Sequence, residues 1–99
     1  MKPLDIINTV CAEFGFVHEE VIPDKPKQQH SRLHVSCRQL CIYFMLENTT
    51  ITLEAAGSFF NKGGDHCFAL HANRAAKTYI KNEDYILYPY YLKLKDKFN

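Results

Sequence analysis

Residues Gly63 to His71 read GGDHCFALH, placing an acid, a cysteine and two histidines beside a run with helical spacing. Three chemistries use such residues. A metal ion takes imidazole and thiolate ligands. A nucleophilic thiol gives its proton to a base within reach, as Cys67 and His71 would be, one helical turn apart. A helix entering DNA presents polar side chains at its N-terminal end to base edges. His66 and His71 are five positions apart, about 140° around a helix, so they do not converge on one ion, and His71 is expected to be a packed, hydrogen-bonded histidine. The Cys67/His71 pair lacks a third group to orient the base and an oxyanion site, so no catalysis is expected.

A second constellation, His34, Cys37 and Cys41, has spacings of three and four and shares one helix face. That face continues through Leu33, Leu40, Phe44 and Met45. Cysteine packs as a small hydrophobe, so the continuity favours core over metal ligation. The four cysteines form no CxxC pair, and reduced thiols with no metal and no cofactor are expected.

The elements that must position these residues are helices. Leu4 to Phe14 carries the stripe Ile6, Ile7, Val10, Cys11 and Phe14 and stops at Gly15. Phe16 to Ile22 is expected as a second short helix, closed by Pro23 and Pro26 in the linker PDKPKQQH. From Ser31 to about Glu47 a long helix forms the spine, with Leu33, Cys37, Leu40, Cys41, Phe44 and Met45 facing inward. Thr52 is a fair N-cap for Leu53 to Phe60, and Asn61 to Gly64 make a turn. Asp65 has the residue type of an N-cap for a further helix, in which Ala69, Ala72, Ala76 and Ile80 recur on one side while Arg74, Lys77 and Lys81 lie elsewhere around the axis. In NEDYILYPYYLKLKDKFN a helix begins near Asp84 and kinks or restarts at Pro89.

The 99 residues make one small domain, 46% hydrophobic and 13% aromatic, which suits a globular chain. No apolar run is long enough for a bilayer, the N-terminus has no export signal, and a cytoplasmic, nucleoid-associated location is expected. Net charge is only +1, but it is segregated. Residues 1–24 hold five acids against one base, residues 25–46 hold Lys25, Lys27, Arg32 and Arg38 with no acid, and Lys62, Arg74, Lys77 and Lys81 form a second basic block. Two basic segments brought together by the fold would make an electropositive surface.

The stretch TLEAAGSFFNKGGDHCFALHA resembles the helix-turn-helix of the C-terminal DNA-binding domain of the bacterial replication initiator DnaA. That family runs Ser-Leu-x-Glu-Ile-Gly, a few residues, Phe-Gly-Gly-Arg-Asp-His, then Thr-Thr-Val-Leu-His-Ala. Leu53, Gly57, Phe60, Asp65, His66, Leu70, His71, Ala72 and Arg74 fall on the pattern, and Arg38-Gln39 falls on the Arg-Gln that opens the family's central helix. The resemblance covers about residues 5–80 and leaves a tyrosine-rich extension, 81–99. The turn NKGG is one residue longer than the family's, Cys67 and Phe68 replace two threonines, the arginine-rich loop is diluted to KPKQQHSR, and no GxxxxGK[ST] phosphate loop occurs.

The resemblance implies one all-α domain of five to six helices with a helix-turn-helix, like the DnaA C-terminal domain and the Trp repressor. It implies duplex DNA binding with a sequence preference, in replication initiation or its regulation. Asp65, His66, Cys67 and Phe68 would then face bases, while Lys25, Lys27, His30, Arg32, Arg38, Gln39 and Lys62 would contact the backbone. The alternative is a module that keeps the fold and binds protein, with YILYPYY as its anchor. The same tyrosines could instead fold back on the core.

Overall fold

A computed structural model describes residues 2–22, 31–60 and 66–98, which form five α-helices and one 3-10 turn and include no strand. Helix α1 spans Pro3–Phe14, with Pro3 at its first position, where the missing N–H leaves no bond unmade. It buries Ile6, Ile7, Val10, Cys11 and Phe14 and ends at Gly15, whose φ of 78° is the left-handed conformation that glycine tolerates best. There Gly15 N–H donates to Ala12 O at 3.1 Å and Phe16 N–H to Cys11 O at 2.8 Å, the double closure of a Schellman turn.

The expected helix at Phe16–Ile22 is instead a 3-10 turn at His18–Val21. The Glu20 carboxylate accepts from Val17 N–H at 3.0 Å and tightens its start. Ile22, which precedes Pro23, is already extended at ψ 124°, leaving no room for an α-helical turn. His18 joins this turn to the middle of the chain, its ring donating to Phe59 O at 2.8 Å and lying edge-on to the fully buried Phe60.

Helix α2, Arg32–Asn48, packs against every other helix and buries Ser36, Cys37, Leu40, Cys41, Ile42, Phe44 and Met45. Leu33, expected inside, is 38% exposed. In this first turn Arg32 turns to Asp84 and Tyr79 and His34 to Phe16, which leaves Leu33 on the open side. Helix α3, Leu53–Ser58, starts as expected at Thr52, whose hydroxyl accepts from Ala55 N–H at 3.1 Å. It buries only small residues, Ala56 and Gly57, and so lies close against α4, His66–Lys81. Helix α4 returns Ala69, Ala72 and Ala76 to the core.

After α4 the chain turns through Glu83, a non-glycine residue at φ 51°. Helix α5, Leu87–Lys95, contains Pro89 in its first turn, so the chain restarts near the proline and does not kink over it. The Asp84 carboxylate starts that helix. It accepts from Leu87 N–H at 2.9 Å, from Ile86 N–H at 3.1 Å and from the Arg32 guanidinium at 2.9 Å. These N–H donors, Leu87 first, hold its carboxyl below the ordinary carboxylate range. Leu87 and Leu94 are fully buried, Tyr90 stacks on Phe14 with centroids 3.8 Å apart, and Tyr91 and Phe98 close over Phe44. The extension is thus part of the core. No helix among the described residues is long and apolar enough to cross a membrane.

Candidate nucleic-acid interface

The candidate interface lies on α4. Its exposed residues are His66, Cys67, His71, Arg74, Lys77, Thr78 and Lys81. At about 100° per residue all of them fall within an arc of about 140°, and the buried alanines lie opposite. The cause is local: small residues recur at three- and four-residue intervals on one side, and the cations fall between them. No acid occurs anywhere in α4, so three cations and two histidines share one face without internal neutralisation.

Beside this face a groove of about 430 Å³ opens between α2 and α4. Arg38 and Gln39 line it from α2, and Cys67, Phe68 and His71 from α4, with alanines behind them. Residues about thirty positions apart in sequence, expected at backbone and at bases respectively, therefore meet in one cleft. Cys67 and His71 belong to both the groove and the exposed arc. Arg38 donates from Nη1 to Val21 O at 3.0 Å, and burial pulls its guanidinium below the usual range although it remains a cation. The Gln39 side-chain oxygen is buried with no hydrogen-bond partner among the described residues, an acceptor set in the groove wall.

The remaining sequence-derived residues divide. His66 is the first residue of α4 and is exposed. Phe68 is half-buried and leans on Phe60, 6.3 Å between centroids, so its ring serves the core while one side lines the groove. Arg32 belongs to the first turn of α2. Its guanidinium binds Asp84 and lies 4.5 Å over the Tyr79 ring, so it holds the start of α5 in place. His71, expected packed and hydrogen-bonded, is exposed, because Ala72 and not His71 points at the core. Lys25, Lys27, His30, Lys62 and Asp65 lie outside the described residues. The basic stripe Arg74, Lys77 and Lys81 was not among the expected contacts, although its angular position could have been read from the alanine spacing.

The cysteines also regroup. His34 turns back, its Nδ1 accepting from Ser31 N–H at 3.2 Å, and stacks on Phe16. Cys11 of α1 takes the expected place of His34 beside Cys37 and Cys41, and all three are buried, free thiols. Hydrogen bonds from Cys37 and Cys41 hold the Cys11 thiol below the ordinary range. Cys37 is pushed up by its own hydrogen bond to Cys11, and Cys41 by burial. Cys67 is exposed and stands apart. No family model matches the chain, and no curated protein or solved structure matches it.

Proposed function

We propose that this chain is a duplex-DNA-binding domain in which α3 and α4 act as a helix-turn-helix, α4 facing the major groove. The observation that carries this reading is the acid-free exposed arc of α4, where Arg74, Lys77 and Lys81 flank His66, Cys67 and His71. In this geometry the N-terminal end of the second helix meets base edges and its flanks meet phosphates. His66 and Cys67 stand at that end, and the cations occupy the later turns of the same face. A histidine offers a donor or an acceptor to a base edge, whereas a thiol is a weak donor, so Cys67 contributes contact more than hydrogen bonding. Arg38, across the groove, adds a cation for the backbone of the same strand. The resemblance to the DnaA domain points the same way, and a setting in replication initiation or its control rests on that resemblance alone.

The protein-binding alternative has less to stand on, because Tyr90 and Tyr91 of its proposed anchor are packed against Phe14 and Phe44. The test is a titration of the full chain into labelled duplex at several salt concentrations. Affinity that falls steeply with salt supports the reading, and affinity indifferent to salt refutes it.

A further inference from the structure

The three buried thiols are not used by the interface, and their arrangement has a chemistry of its own. Cys11 projects from α1 and Cys37 and Cys41 from successive turns of α2, and their Sγ atoms all lie within 4.8 Å of one another. One edge of the triangle, Cys37 to Cys11, is 3.7 Å. An ion in the plane of three thiolates with bonds of about 2.3 Å needs sulfur-sulfur edges of about 4.0 Å, so small side-chain adjustments would close the site. Among the described residues the group contains no fourth sulfur, imidazole or carboxylate, and the oxygen that the Cys41 thiol faces, Ile7 O, is 4.0 Å away. A tetrahedral ion such as zinc would be left short of a ligand. Soft thiolates favour copper(I), which accepts three-fold coordination.

We propose that Cys11, Cys37 and Cys41 form a three-coordinate thiolate site for one copper(I) ion. Each thiol that binds as thiolate releases its proton to solvent, and no electron is transferred. With two protons lost the site carries a net charge of −1, with three −2, and the nearby Arg38 guanidinium offsets part of it. The cysteines are at most 1% exposed, so the ion enters only when α1 and α2 part locally, and uptake is slow.

The test uses the full chain, reduced and without oxygen, competing for copper(I) against a chromogenic copper(I) chelator, with native mass spectrometry to count ions. One equivalent is expected. On prolonged alkylation, where local opening labels the metal-free protein, Cys11, Cys37 and Cys41 become protected and Cys67 does not. Cys37→Ala or Cys41→Ala weakens uptake at least tenfold, whereas Cys67→Ala leaves it unchanged. The alkylation pattern needs no variant, so a substitution that fails to fold does not remove the test. No uptake against the chelator, uptake that depends on Cys67, or zinc held as tightly as copper(I) would overturn the site.

Discussion

Replacing Arg74, Lys77 and Lys81 together by alanine removes every Lys and Arg from α4 without touching a buried residue. The three positions extend over about 10.5 Å of helix, enough to meet phosphates along a groove wall. Each neutralised phosphate contributes about 0.9 to the slope of log K against log salt, so the variant should lose up to about 2.7 of slope. Between about 50 and 200 mM salt, the parent should then lose about 40-fold more affinity than the variant. Alanine is the best helix former, so these exposed substitutions should leave the fold standing, which far-UV circular dichroism checks. Fluorescence anisotropy on two unrelated duplexes across a salt series measures the slope. A change below about 0.9 on both would mean that at most one of the cations reaches a phosphate, and the acid-free face would not be the DNA-facing one.

His66→Ala with Cys67→Ala should flatten discrimination among duplexes, by about 1–3 kcal/mol for each base that is no longer read, with nonspecific affinity nearly unchanged; a site selection that returns the parent's ranking would exclude both side chains from readout. Asp84→Ala removes the acceptor of two backbone N–H groups and the partner of Arg32, and should cost about 1–2 kcal/mol at neutral pH by thermal melting. Because the Asp84 carboxyl is held low in the fold, its contribution is present above about pH 4, the unfolded range, and disappears as pH falls through the folded value, so parent and variant should converge in acid. Glu83→Gly relieves a left-handed non-glycine residue and should stabilise by about 0.5–1 kcal/mol, a rise of a few degrees in Tm; a fall would show that the Glu83 side chain contributes more than its backbone costs.

The boundaries of α1 and α2 were legible because their signals are local: a five-residue apolar stripe closed by Gly15, and a long apolar face beginning after Ser31. Thr52 was legible for the same reason, since a cap acts three residues away. The pairing of Arg32 with Asp84 was not legible, because the two are 52 positions apart and no periodicity links them. Cys11 was not seen with Cys37 and Cys41 because two helices must pack before they meet, whereas His34 shares a helix with them and is diverted by Ser31. The exposure of His71 depends on which neighbour α2 accepts, and the small Ala72 wins that place. Arg74, Lys77 and Lys81 carried a readable signal, since each sits off the alanine stripe by a fixed angle.

The packing of α5 on α1 has a consequence for how the domain comes apart. Tyr90 lies on Phe14 and the Lys97 ammonium reaches the Glu13 carboxylate at 3.0 Å, so the final helix is fastened to the first. Through these two contacts α1 and α5 brace one another. A peel that starts at α5 uncovers Phe14 and Phe44, and one that starts at α1 strips Tyr90 of its ring partner, so each terminus protects the other. Amide exchange in α1 and α5 should then share one opening event.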